Sequence, residues 1–231
     1  MRLIVRSFLR RWLLVCVLLL PMQGQARAYE DFLLAVQMDD LTTVKSFLQR
    51  GIDVNTIDPA GFPALTLAIR EHALKVAGFL VEQRDIKLDQ QNPVGEDAMM
   101  YAALNGHESL VRRLIQLGAP INKVGWTSLH YAATYGHTEI CQLLLEQHAY
   151  IDAESPNKTT PLMMAAGFMK RATVVLLLKE GADPTLKNEA GLTAAGFAEK
   201  TNDQELAAWL RRREDDFRRR YPPSPGSLPL H

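Results

Sequence analysis

The chain has 231 residues, 47% of them apolar and 23% charged, which excludes an intrinsically disordered protein and leaves ample material for a core. Its basic and acidic residues balance at 26 each, but five arginines and no acid fall within the first 28 residues. Beyond them 21 basic residues face 26 acidic ones, so the rest lacks the basic excess on which non-specific nucleic-acid binding depends.

The first element has the three zones of an export signal. Arg2, Arg6, Arg10 and Arg11 form a positive start, Trp12 to Leu20 is unbroken apolar sequence, and Pro21 ends it. Ala26-Arg27-Ala28 then offers a small-x-small cleavage site. A membrane span needs about 20 apolar residues, roughly twice this run. Residues 1–28 therefore read as a cleavable Sec-type signal that leaves Tyr29 as the mature N-terminus and no integral span. The expected destination is the periplasm, with release beyond the cell as the alternative. Cys16 departs with the signal, and Cys141 alone cannot form an intramolecular disulfide.

From Tyr29 onward the chain repeats itself. A glycine follows a turn at Gly61, Gly95, Gly125 and Gly191, with Lys158 in the same slot, at spacings of 34, 30, 33 and 33 residues. The phrase around each is clearest in Thr127-Ser128-Leu129-His130-Tyr131-Ala132-Ala133 and Thr160-Pro161-Leu162-Met163-Met164-Ala165-Ala166. A second phrase follows, as in Gly136-His137, Leu143-Leu144-Leu145 and Ala149-Tyr150-Ile151-Asp152. It recurs around Gly106-His107, Leu176-Leu177-Leu178 and Gly51-Ile52-Asp53-Val54-Asn55.

This resembles the ankyrin repeat, whose signature is a Thr-Pro-Leu-His-x-Ala core at a period near 33 residues. The likeness covers roughly Tyr29 to Arg213 and implies an all-α ankyrin-repeat solenoid of stacked helix–turn–helix units with hairpin-like loops. About six units are expected: a cap at 29–57, repeats at 58–91, 92–121, 122–154 and 155–187, and a second cap at 188–213. Residues 214–231 read as a charged, solvated helix end and a Pro-rich disordered tail.

Each first helix, such as 129–135, carries small residues where repeats approach closely, and each second helix, such as 139–147, supplies bulk. Thr127, Thr160 and Thr193 are expected helix caps, and Gly51, Gly118 and Gly181 expected left-handed ends. The loop from Asn122 to Gly125 is three residues shorter than its equivalents, which predicts a stunted finger.

His130, His107 and His137 occupy framework positions of the repeat, and Cys141 occupies a buried apolar one, so neither a metal nor a cofactor is implied. Gly-x-Ser-x-Gly, His-Glu-x-x-His, phosphate-loop and dinucleotide motifs are all missing from the sequence, and the expectation is a non-enzymatic protein. The resemblance implies partner binding through the concave face. Carried over by register, the finger tips are Phe62, Glu96, Trp126, Thr159 and Leu192. The first-helix positions are Arg70, Glu71, Leu104, Asn105, Thr134, Tyr135 and Phe168. Trp126, Tyr135 and Phe168 fall in adjacent repeats and are the expected anchors, the alternative being that the stunted finger lets Trp126 fold back onto the stack. Tyr101, Tyr131, Met164 and Phe197 occupy a column that the family half-buries between repeats, and are read as core.

The expected function is that of a monomer that inhibits, escorts or scaffolds another exported protein, with a protein partner and no nucleic acid. Self-protection, of the immunity or antioxidant-associated kind, and a host-directed secreted effector are the alternatives.

Overall fold

The computed structural model describes residues 27–222, with twelve helices and no strand among them. The arginines and apolar run of the expected signal and the tail from Pro223 onward lie outside the described residues. The chain divides into two compact units, one up to Lys87 and one from Leu88.

In the first unit, α1 covers residues 27–37 and crosses the expected cleavage position between Ala28 and Tyr29. Helices α2 (Leu41–Gln49), α3 (Ala64–Arg70) and α4 (Leu74–Leu80) follow, and α4 packs on both α2 and α3. Phe32 of α1 meets Phe47 of α2 edge-to-face at 6.1 Å, with Val36, Val44, Leu67, Ile69, Val76 and Leu80 buried. Asp40 caps α2 by accepting from the Thr43 N–H at 3.1 Å, and a single antiparallel bridge, Ile57 to Pro63, closes the finger before α3.

The second unit holds four helix pairs: α5 (Ala98–Leu104) with α6 (Glu108–Gln116), α7 (Ser128–Tyr135) with α8 (Thr138–Glu146), α9 (Pro161–Gly167) with α10 (Arg171–Lys179), and α11 (Ala194–Lys200) with α12 (Gln204–Arg220). The first helices α5, α7, α9 and α11 lie side by side in that order. Their approach is set by alanine: Ala102, Ala103, Ala132, Ala133, Ala165, Ala166 and Ala198 are all fully buried. Leu114, Ile140, Leu144, Val174, Leu177 and Leu210 supply the bulk from the second helices.

Caps stand where a hydroxyl or carboxylate precedes a first helix. Asp97 accepts from the Met100 N–H at 3.0 Å, and Thr160 from Met163 at 3.4 Å. Gly51, Gly118 and Gly181 end second helices in the left-handed region, at φ of +91°, +85° and +103°. Lys158 adopts φ +60° in the slot that glycine holds in the other fingers.

The charged helix end expected beyond residue 213 is helical, with Asp215 and Arg218 to Arg220 exposed, and one residue of it departs from a solvated face. α12 passes through that point without a break, and Glu214 is buried, its carboxylate accepting the Thr193 hydroxyl at 2.6 Å. Glu214 is thus tied to the last repeat, and it also stands 3.6 Å from Arg218, one turn on.

An amide ladder ties the end of one repeat to the end of the next. Asn55 accepts the Lys87 N–H at 2.8 Å and returns a hydrogen to the Asp85 carbonyl at 2.9 Å. Asn122 repeats both bonds with the Tyr150 N–H and the His148 carbonyl, each at 2.8 Å. At the third rung Asp152 replaces the asparagine and accepts the Asp183 N–H at 3.2 Å on both oxygens. A carboxylate has no hydrogen to return. Burial pushes the Asp152 carboxyl up to about 6; the Asp183 N–H opposes the shift, and the Asp183 charge reinforces it.

The folded value lies above the unfolded one, so the charge destabilises the fold above pH 6, and that cost fades as the pH falls towards 4. Asp152→Asn is therefore expected to stabilise the protein by about 1 kcal/mol at pH 8, a figure reduced for solvent screening at a part-exposed site. Urea unfolding at pH 8 and pH 4.5 checks this, with the gain shrinking at the lower pH; an equal gain at both contradicts the ladder.

Candidate functional site

Residues four apart on a helix share a face, and on the first helices of the second unit that face carries large side chains. Tyr101 and Asn105 belong to α5 and its end, Tyr131 and Tyr135 to α7, Met164 and Phe168 to α9, and Phe197 and Thr201 to α11. Because these helices adjoin, the pairs form a two-row wall. The row of Tyr101, Tyr131, Met164 and Phe197 is half-buried, the state expected of that column, and the outer row carries Tyr135 at 53% and Phe168 at 51% exposure.

Of the outer aromatics, Tyr135 has a ring neighbour. The Tyr135 ring lies parallel to the His137 imidazole at 6.4 Å, and Nε2 of His137 bonds the Leu104 carbonyl of the preceding repeat at 2.9 Å. Phe168 caps α9, its N–H bonded to the Met164 carbonyl at 3.0 Å. An aromatic ring with a fixed neighbour, as Tyr135 has in His137, loses less entropy on binding, which is the property of an interface anchor.

The inner row is organised by Glu96, which stands in the finger before α5. Asn92 and Glu96 exchange backbone and side-chain bonds across that finger, as Ser155 with Thr159 and Asn188 with Leu192 do in later ones. The Glu96 carboxylate then accepts the Asn92 amide at 2.8 Å, the Tyr101 hydroxyl at 2.7 Å and the Tyr131 hydroxyl from the next repeat. Burial alone would raise this carboxyl, but the Tyr131, Tyr101 and Asn92 bonds and the Lys123 charge outweigh it and hold it below the usual range. Burial and the Glu96 charge together push the Tyr131 hydroxyl well up, so it stays protonated and donating.

The finger at 122–126 is short and differently built. Asn122 is committed to the ladder, while Lys123 reaches back to the Gly95 carbonyl and stands 3.5 Å from Asp97, whose carboxyl is raised by burial. Trp126 leans onto its own repeat, edge-on to His130 at 5.2 Å and to Tyr131 at 6.5 Å. It is half-buried, not the exposed tip expected from register.

Other expected surface residues are also repositioned. Thr134 is buried and donates its hydroxyl to the His130 carbonyl at 2.7 Å, because a threonine facing its own preceding turn satisfies itself there. Thr159 is buried, while Leu104, Asn105 and Leu192 are half-buried. In the first unit Phe62 is covered by the Arg70 guanidinium at 4.1 Å, and Arg70 pairs with Glu71 at 2.7 Å. Those three residues engage one another.

The histidine and cysteine are framework groups. His130 accepts the Thr127 N–H on Nδ1 at 3.2 Å and bonds the Thr159 carbonyl through Nε2 at 2.9 Å; burial lowers it to about 4, so it is neutral. Burial pushes the Cys141 thiol up to about 12. Among the described residues no three His, Cys, Asp or Glu side chains converge as a metal site requires, and no helix is long and apolar enough to cross a membrane.

A family described as "Ankyrin repeats (3 copies)" matches residues 84–155, and a single ankyrin repeat matches 157–189. The putative ankyrin repeat protein YahD of Escherichia coli is 30% identical over 189 residues, spanning 78% of this chain and 94% of its own length. The chain belongs to the ankyrin-repeat family. A putative ankyrin repeat-containing protein of Treponema pallidum is 28% identical over 178 residues, 77% of this chain, which spans only 49% of that relative. An ankyrin repeat domain from Acinetobacter baumannii superposes with a TM-score of 0.66 at 25% identity, covering 79% of this chain and 96% of that one. A chain from the complex of a predatory endopeptidase of Bdellovibrio bacteriovorus with an immunity protein superposes with a TM-score of 0.69 at 28% identity, covering 79% and 97%.

In this ankyrin wall the Tyr131 hydroxyl matters only while Glu96 is charged. Glu96 titrates below its unfolded value, so its bonds stabilise the fold above about pH 4.3 and are lost as the pH falls through the lower folded value. Tyr131→Phe is expected to cost about 1 kcal/mol at pH 7 in chemical unfolding, fading below pH 4. A loss that persists at pH 3 would contradict the clamp.

Proposed function

We propose that the first-helix wall of the second unit is the docking face for a protein partner, and that the chain is exported to the periplasm to bind, inhibit or escort another exported protein there. The observation that carries this is the pair Tyr135 and Phe168, half-exposed on adjacent helices, with Tyr135 lying parallel to a histidine that is itself bonded to the preceding repeat. Aromatic anchors of this kind dominate binding energy, each worth on the order of 2 kcal/mol on truncation.

The signal-like start, with its arginines, apolar run and Ala26-Arg27-Ala28 site, supports export. Likeness to a chain in the endopeptidase–immunity protein complex supports a role in self-protection, in which the partner is an exported hydrolase. Binding rather than catalysis is the reading because His130 is spent on linking repeats and Cys141 is a buried, protonated thiol.

Cell fractionation with N-terminal sequencing is expected to find the mature chain in the periplasm beginning at Tyr29; a cytosolic chain beginning at Met1 would contradict export. Pull-down from periplasmic extract is expected to retain a partner with the wild type and to lose it, at least tenfold, with Tyr135→Ala/Phe168→Ala at unchanged melting temperature. Identical retention by both would contradict the proposed face.

A further inference from the structure

The inner row of the wall has a chemistry that the aromatic anchors do not explain. Two tyrosine hydroxyls from successive repeats turn away from solvent partners and towards one carboxylate, Glu96. A carboxylate offers about four acceptor positions. Asn92 and Tyr101 occupy Oε2, and Tyr131 takes one position on Oε1, so Oε1 retains room for one more donor.

The neighbouring charges do not cancel that of Glu96. Lys123 is committed to the Gly95 carbonyl and to Asp97, so two carboxylates face one ammonium and the cluster keeps a net negative charge. Burial lowers the local dielectric response, and the tyrosine bonds keep Glu96 ionised.

Aromatic faces stand beside this charge. Tyr131, bonded to Glu96, meets the Trp126 ring at 6.5 Å and an interplanar angle of 75°, so the two rings form perpendicular walls. Both residues are half-buried and keep part of their surface open. A planar cation can lie on one ring face while its N–H groups reach a carboxylate, which is the geometry that suits a guanidinium better than an ammonium.

We infer that Glu96, Tyr131 and Trp126 form a subsite for an arginine side chain presented by the protein partner. The inference rests on the docking face proposed above and names one chemical feature of what docks there. Charge complementarity selects the occupant: a cation is favoured by the ionised carboxylate and the two ring faces together, and a neutral or acidic side chain gains neither.

The test uses the protein itself and the tripeptide Gly-Arg-Gly, with Gly-citrulline-Gly as the neutral isostere, in an NMR titration read at the Trp126 indole N–H. Saturable shifts are expected with Gly-Arg-Gly and at least tenfold weaker binding of the citrulline peptide. Glu96→Gln is expected to weaken Gly-Arg-Gly at least tenfold while leaving resonances from residues 160–220 in place. Trp126→Leu, read at the Tyr131 amide, leaves the Glu96 bonds intact and is expected to weaken binding several-fold. Equal binding of both peptides, or undiminished binding by Glu96→Gln, overturns the subsite. Absence of any peptide shift also overturns it, and leaves the docking face standing if Tyr135→Ala/Phe168→Ala still loses the partner.

Discussion

Everything in the second unit depends on how closely neighbouring first helices approach. That distance is set by Ala102, Ala103, Ala132, Ala133, Ala165, Ala166 and Ala198, whose side chains are short enough for one helix to lie against the next. With its sides and back committed to packing, each first helix has one stripe left over. The residues on that stripe are released from the core requirement, and here they are tyrosine, methionine and phenylalanine. An enlarged side chain at any of the alanine positions would move a whole column of the wall and not one residue of it.

Two histidine ties then fix the register between repeats without bringing charge inside. His130 spans from its own helix cap to the Thr159 carbonyl as a neutral imidazole, and His137 spans to the Leu104 carbonyl. The second tie has a backbone counterpart at Gly106. Its φ of +73° suits glycine, and a Cβ there would lie 2.6 Å from the His137 ring. The glycine and histidine of successive repeats are thus one contact seen from two sides. The same tie braces the ring of Tyr135, so the framework and the exposed anchor share a support.

The fold was legible because the repeat phrase marks both helices and the turn between them, and a 33-residue period has few other physical solutions. The histidines were legible for the same reason. The inner row was not, because a hydroxyl of α7 meets a carboxylate 35 residues earlier and no local pattern records such a contact. Register alone makes Trp126 an exposed tip, whereas the stunted finger lets it fold back, and the second holds. With Asn122 held by the ladder and Lys123 drawn back to Gly95 and Asp97, the short finger leaves the tryptophan against its own helix. Glu214 followed the charge pattern of a solvated helix, but the length of α12 lays it under the Thr193 hydroxyl. Tyr135 and Phe168 stand where the repeat register puts its variable positions, and both are exposed.

The wall is the central claim, and site-specific photocrosslinking in cells that make the protein tests it most directly. A benzoylphenylalanine at position 135 or 168 is expected to capture one and the same partner band, and the same probe at position 146, exposed at the end of α8, to capture none of it. Capture from position 146 alone, or different bands from positions 135 and 168, would contradict a docking face on the first helices.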